Sequence, residues 1–264
     1  MTLAAEPLAT PLASSPIAMA GRLAAATPPP AVHAAPPRIQ YTETRIAPAA
    51  RLALHECVGV VRADRSELAE AFKMLRNQVL QRMRADGHRV LAVTSPRPIP
   101  GKSLSALNLA LAIADDFDST ALLVDADLSG RGLQRFFGLD HAPGLGDHLL
   151  TGTPIPELLV NPGIERLVFL PAGSAAVAQS AELLSTRIMR DLVAKMKARY
   201  DDRIVVVDLP AALSTADALA FLPLADTTLV VIEEHTTRIA DMDSLAALLA
   251  PFELVGTVMS RPVD

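Results

Sequence analysis

The stretch that most constrains this chain runs from Val90 to Ser103. A short apolar run (Val90, Leu91, Ala92, Val93) enters Thr94-Ser95-Pro96-Arg97-Pro98-Ile99-Pro100-Gly101-Lys102-Ser103. A helical pattern of Leu104, Leu107, Leu109, Leu111 and Ile113 leaves it. Strand, loop, Gly-Lys-Ser and helix, in that order, is the context of a phosphate-binding loop. Backbone N–H groups at the opening of a helix form an anion cradle, and a lysine there adds a cation for the β- and γ-phosphates. The serine hydroxyl can ligand Mg²⁺. Pro98, Ile99, Pro100, Gly101, Lys102, Ser103 and Leu104 are therefore the candidate nucleotide-binding residues. The full pattern has a glycine five residues before Gly101, where this chain has Pro96.

Two further apolar runs end in carboxylates. Ala121-Leu122-Leu123-Val124 leads into Asp125-Ala126-Asp127, and Ile204-Val205-Val206-Val207 leads into Asp208. Continuous aliphatic runs are expected of strands buried on both faces. The run of elements alternates: strands over Arg89–Val93, Ala121–Val124, Arg166–Leu170, Arg203–Val207, Thr228–Ile232 and Leu254–Met259, with helices over Ser103–Phe117, Val177–Arg199, Asp217–Leu224 and Ile239–Leu249. This predicts an α/β fold, a doubly wound and mostly parallel sheet with helices on both faces. In such sheets ligands bind at the carboxyl ends of the strands. The three carboxylates would then face the Gly-Lys-Ser loop, an arrangement suited to Mg²⁺ and a nucleotide phosphate. Lys102 would neutralise phosphate charge. Ser103, Asp125 and Asp208 would serve the metal; Asp125 would orient or deprotonate an attacking hydroxyl and Asp127 order metal-bound water, spacing leaving open which of the two is the base.

Composition narrows the partners. The chain of 264 residues is 50% hydrophobic with a formal charge of −5, which argues against non-specific nucleic-acid binding. Cys57 is the single cysteine, so no intramolecular disulfide is expected, in keeping with a reducing cytoplasm. No apolar run approaches the roughly 18 residues of a membrane span, and no secretory signal is expected. Residues 1–50 form an Ala/Pro-rich arm expected to be disordered, and 51–264 the folded domain. A helix is expected from Ser66 to Ala85, capped by Asp64 or Ser66 and stopped by Gly87, with Leu68, Phe72, Leu75, Val79 and Met83 on its apolar stripe. Glu70, Lys73 and Arg76 share another face, either a solvated charge stripe or a contact for a neighbouring subunit. His88, His141 and His148 have no metal-ligand spacing. His235, beside Glu233 and Glu234, falls past a strand end near where a nucleotide base would lie.

With these residues in place, the chain resembles the bacterial tyrosine kinases of capsule and exopolysaccharide synthesis. These sit among the deviant P-loop NTPases that include the Min and Par proteins. The resemblance spans about Ser66 to Ser260. It is carried by Ser66-Glu67-Leu68-Ala69-Glu70-Ala71-Phe72-Lys73-Met74-Leu75-Arg76, the loop through Ser103, and Leu122-Leu123-Val124-Asp125-Ala126-Asp127-Leu128. Phe137-Gly138-Leu139, Leu170-Pro171-Ala172-Gly173, Glu182-Leu183-Leu184 and Val207-Asp208-Leu209-Pro210 complete it. The later segments look most like the autokinases encoded with exosortase-type export loci. The resemblance implies an ATP- and Mg²⁺-dependent protein-tyrosine (auto)kinase in the cytoplasm, peripheral to the inner membrane through a membrane-embedded polysaccharide co-polymerase or chain-length protein. It also implies homo-oligomers built through the Glu70, Lys73, Arg76 helix. The alternative is a catalytically weakened ATP-binding protein that regulates polysaccharide assembly by nucleotide-dependent oligomerisation.

This chain also departs from the family pattern. Ile99 replaces a usual glycine, which would make a positive φ costly there, and Pro100 removes an N–H from the cradle. Replacing both, Ile99→Gly with Pro100→Glu, would then raise nucleotide affinity. Lys73 stands where arginine is usual, Ser129 and Gly130 where arginine follows the second acidic motif, and Ser260 where asparagine is usual. The family's tail tyrosine cluster has no counterpart in these residues. Tyr200 is read as structural and Tyr41 as the better phosphoacceptor.

Overall fold

The structure, a computed structural model, describes residues 44–47, 50, 53–54, 66–129, 132–199 and 201–261. Most of the predicted arm, with Tyr41, lies outside the described residues, as do Cys57, Asp64, Gly130, Arg131 and Tyr200.

Among the described residues, eight strands form one sheet: β1 (Arg45–Ile46), β2 (Val90–Thr94), β3 (Thr120–Asp125), β4 (Val160–Asn161), β5 (Leu167–Leu170), β6 (Arg203–Asp208), β7 (Thr227–Glu233) and β8 (Leu254–Ser260). Their order is β1-β4-β5-β3-β6-β2-β7-β8. From β5 to β8 all neighbours pair in parallel. The six strands expected from sequence are all present, within a residue or so at each end. The two-residue β1 and β4 are additions, and β4 runs antiparallel to β5. Their runs are too short for any periodicity to show.

Alternate residues of one strand feed opposite faces. Leu91 and Val93 join Leu123 and Val206 in one core layer, while Val90 and Ala92 join Leu122, Val124, Val205 and Val207 in the other. The helices Glu67–Asp86 and Gly101–Ala114 cover the first layer through Val79, Met83, Leu107, Leu109 and Ile113. The helices Arg187–Arg199, Asp217–Phe221 and Ile239–Leu249 cover the second through Leu192, Met196, Phe221, Leu245 and Leu249. The expected doubly wound, mostly parallel architecture therefore holds.

Three helix expectations need correction. Helix Glu67–Asp86 is capped by Ser66, whose hydroxyl accepts from Ala69 N, and ends at Gly87 in the left-handed conformation. Its buried stripe, however, uses Ala69 and Leu80, and Leu68 is exposed. The single helix expected over Val177–Arg199 is two, Ser180–Leu184 and Arg187–Arg199. Ser185 Oγ and Thr186 Oγ1 donate to Glu182 O and Leu183 O, and Thr186 Oγ1 accepts from Met189 N. Such side chains give the backbone an alternative to the helical ladder, and here they stop one helix and cap the next. The helix expected to reach Leu224 ends at Phe221, and a 3₁₀ turn over Leu222–Leu224 carries Pro223.

Candidate nucleotide site

β2 ends at Thr94 and the loop runs from Ser95 to Pro100 before helix Gly101–Ala114 begins. The segment after β6 stitches the loop down. Leu209 N donates to Val93 O, Ala212 N to Ser95 O and Leu213 N to Pro96 O, while Thr94 Oγ1 donates to Pro210 O. Ser95 Oγ closes the loop on Arg97 O, and Arg97 Nε pairs with Asp241 Oδ1 at 3.0 Å. A methyl on Gly101 would overlap the Ser260 side chain at the end of β8, which would have to move to admit it.

Ile99 does not adopt the strained geometry expected of it. Positive φ occurs at Arg166 and His235 among described non-glycine residues, and Ile99 is buried in the aliphatic core. Its carbonyl accepts from Lys102 N. Pro100 sits at φ −59°, ψ −34°, already helical. At the start of a helix the N–H that proline lacks has no intrahelical partner to lose. The strain-based reason for a gain in affinity is thereby removed. Ile99→Gly should instead lower stability by about 2–5 kcal/mol through the cavity it leaves, read as a fall in Tm. A rise in ATP affinity for Ile99→Gly would show that the side chain restrains the cradle.

The charged residues converge as the sheet requires. Lys102 Nζ lies 2.6 Å from Asp208 Oδ1 and donates to Ser103 Oγ at 3.1 Å. All three side chains are buried. Asp208 and Asp125 are direct partners in the β3–β6 register. Asp125 is fully buried, and its oxygens accept from Asp127 N at 3.2 Å, Leu133 N at 2.6 Å and Gln134 N at 3.3 Å. Burial pushes Asp125 up, the Asp208 and Asp127 charges add to it, and Lys102 and the Asp127 N–H pull back, to about 8. Burial also raises Asp208, against the pull of Lys102. Asp127 is half-buried and accepts from Ser129 N and Oγ. Asp208 Oδ2 is buried with no hydrogen-bond partner. An orphaned carboxylate oxygen beside a serine hydroxyl is the donor set that Mg²⁺ takes beside phosphate, so these residues fit the ion.

Sequence reasoning missed the clamp on Asp125. Gly132 approaches so closely that a methyl there would overlap the carboxylate. Gln134 in turn bonds Asp140 O and Gly173 O, and Asp147 accepts from Gly144 N and both Ser174 donors. Leu133 and Gln134 on Asp125, Gly173 on Gln134 and Ser174 on Asp147 are each 8 or more residues from the group they bind, and no local pattern marks them. At the base end, Ser260 Oγ is buried without a partner, and Arg261 pairs with Glu234 at 2.9 Å. His235 is exposed at φ 63°. His148 Nδ1 meets Thr153 O at 2.8 Å, just past the end of its helix. His88, for which spacing indicated no metal role, comes within 4.8 Å of Asp86 and Glu253 carboxylates at the opposite edge of the sheet.

Loop, lysine, serine and the β6 aspartate together define a P-loop nucleotide-binding protein of the α/β class. No protein-family model matches the chain. It is 36% identical over 176 residues to the succinoglycan biosynthesis transport protein ExoP of Rhizobium meliloti, covering 66% of this chain and 22% of that protein. It is 31% identical to the tyrosine-protein kinase YwqD of Bacillus subtilis, covering 64% of this chain and 70% of that protein. The VpsO kinase domain superposes with a TM-score of 0.65 at 25% identity, covering 75% of this chain and 96% of that domain. The chain belongs to the bacterial tyrosine kinase family.

Proposed function

We propose that this chain is the ATP-dependent catalytic unit of a protein-tyrosine kinase serving exopolysaccharide synthesis and export. The observation that carries the reading is the meeting of Lys102, Ser103, Asp208 and Asp125 at one strand edge. Bound Mg²⁺ would supply charge that neutralises the phosphates, held by Ser103 and Asp208. The Leu133 and Gln134 N–H groups hold Asp125 Oδ2, which leaves Oδ1 as the oxygen that would serve the ion. Lys102 binds phosphate oxygens, and Pro98 to Leu104 form the cradle. Asp125 is the proposed base, since a pKa near the working pH suits proton transfer, with Asp127 beside it orienting the acceptor hydroxyl. The test is phosphotyrosine formation on the chain or on poly(Glu,Tyr) with Mg-ATP and the cytosolic segment of a chain-length protein. No label from the wild type would sink the kinase reading.

The clamp on Asp125 favours a second reading, an ATP-binding regulator of polysaccharide assembly. ATP affinity without label would be its signature. In either case the nucleotide-binding domain begins before residue 51, where the arm was expected to end, because β1 (Arg45–Ile46) pairs with β4 and Ala50 is buried in the core. No described helix is long and apolar enough to cross a membrane, and attachment at the inner membrane is proposed to run through the polysaccharide co-polymerase.

Self-association is proposed through helix Glu67–Asp86. Lys73 pairs with Glu70 at 2.7 Å on the helix surface, while Arg76 is drawn partly inward to Ala112 O. An exposed i,i+3 pair contributes only about 0.2–0.5 kcal/mol to folding. Lys73→Glu should therefore leave Tm within a degree or two while shifting oligomers toward monomer in light scattering. An unchanged mass at unchanged Tm would make this face an ordinary solvated stripe.

A further inference from the structure

We propose that Asp86, His88 and Glu253 bind a zinc ion that ties the end of helix Glu67–Asp86 to the start of β8. His88 lies just before β2, and Glu253 adjoins Leu254, the first residue of β8. The three side chains therefore gather at the edge where the strands begin. Lys102, Asp125 and Asp208 gather at the opposite edge, so this site stands apart from the nucleotide site and does not depend on the kinase reading.

The backbone brings the three ligands together. Asp86 ends its helix, Gly87 turns the chain at φ 71°, and His88 N donates to Met83 O at 2.7 Å. Glu253 is held from β7, its carbonyl accepting from Thr228 N at 2.8 Å and from Thr227 Oγ1. One ligand atom of each side chain lies within 4.8 Å of the other two. His88 Nδ1 and Glu253 Oε1 stand 3.5 Å apart. That exceeds the roughly 2.7–3.2 Å of an N–H···O hydrogen bond. It matches the edge of a coordination tetrahedron, because two ligands each about 2.1 Å from zinc are about 3.4 Å from one another.

Charge points the same way. Asp86 puts a carboxylate at the helix end that carries partial negative charge, where a cation is favoured. Glu253 brings a second carboxylate beside it. The neighbouring arginines are engaged elsewhere: Arg82 with Val255 O, Arg84 with Asp116 and Ser119, and Arg89 with Asp201. A divalent cation balances both carboxylates. One imidazole with two carboxylates suits zinc, water completing the tetrahedron, whereas Mg²⁺ takes oxygen donors. The His88 side chain is 19% exposed and that of Glu253 54%, so the imidazole is sheltered while the ion has a path in from solvent.

The experiment titrates the metal-free full chain with Zn²⁺ by calorimetry in excess Mg²⁺, using wild type, His88→Ala and Glu253→Gln. Zinc-edge X-ray absorption on the wild-type complex reads the ligand atoms. Binding to the folded chain alone stabilises it by mass action, so Tm with and without Zn²⁺ is measured in parallel. The expected result is one Zn²⁺ per chain with nitrogen and oxygen ligands only. Affinity should fall by at least about tenfold in each variant, since even groups behind a ligand carry that much. Zn²⁺ should raise Tm in wild type and leave it unchanged in the variants. Glu253→Gln alters an exposed side chain and so keeps the comparison decisive if His88→Ala folds poorly. A wild type without zinc affinity overturns the proposal. So does affinity unchanged in both variants, which would put the ion elsewhere, and so does sulfur among the ligands, which would put it on Cys57.

Discussion

Lys102→Ala should lower phosphotyrosine formation by about 10²–10³-fold, the cost of removing one preorganised group aimed at developing charge. It should also destabilise the protein, which distinguishes this lysine from an ordinary loop lysine. Its ammonium is 2.6 Å from Asp208 Oδ1 with both side chains buried, and the other carboxylate oxygen has no partner. Removing one member of a buried pair leaves a charge without compensation, typically about 3–5 kcal/mol. Burial already raises Asp208 against the pull of Lys102. Without the lysine the carboxyl titrates higher still and can neutralise itself by taking a proton. The fall in Tm should therefore be larger at pH 8 than at pH 5, measured by differential scanning calorimetry on nucleotide-free protein. Lys102→Met, which keeps the stem but not the charge, should show the same pH trend. Equal Tm values for wild type and both variants at pH 8 would mean that the pair contributes nothing to folding.

The same residues show what could and could not be read from the sequence. β2, β3 and β6 are short continuous aliphatic runs ending in functional groups, and their length and β-branched content favour strands covered on both faces. The loop, Asp125, Asp127 and Asp208 were legible because each follows such a run directly. Ile99 was misjudged because a positive φ was assumed from the glycine it replaces, whereas its side chain finds room in the core at an ordinary φ. The clamp of Leu133 and Gln134 on Asp125 was not legible at all, since backbone donors carry no side-chain signature and Gly132 alone hints at close approach. β1 is two exposed residues, invisible as a pattern, and its direction was available only from pairing.

Asp125→Asn should uncouple stability from activity. In the folded chain Asp125 titrates near 8 because it is fully buried beside the Asp208 and Asp127 charges. In the unfolded chain an aspartate titrates near 3.9. Between about pH 4 and about pH 8 the native state therefore holds a proton that the unfolded state has shed. Stability falls as pH rises whenever the native state binds more protons, so wild type should lose stability across this window. Asparagine keeps an oxygen to accept from Leu133 N and Gln134 N but cannot ionise. Asp125→Asn should thus melt higher than wild type at pH 8, by the equivalent of a few kcal/mol, with the gap closing toward pH 4. Activity should move the other way, falling by about 10²–10⁴-fold if Asp125 is the base. If Asp125→Asn keeps its label while Asp127→Asn loses it, the base is Asp127. If wild type and Asp125→Asn melt together at pH 8, Asp125 ionises normally despite its burial. A more stable but inactive Asp125→Asn would mean that the chain keeps a costly carboxyl at the end of β3 for its chemistry, since an uncharged residue there would fold better.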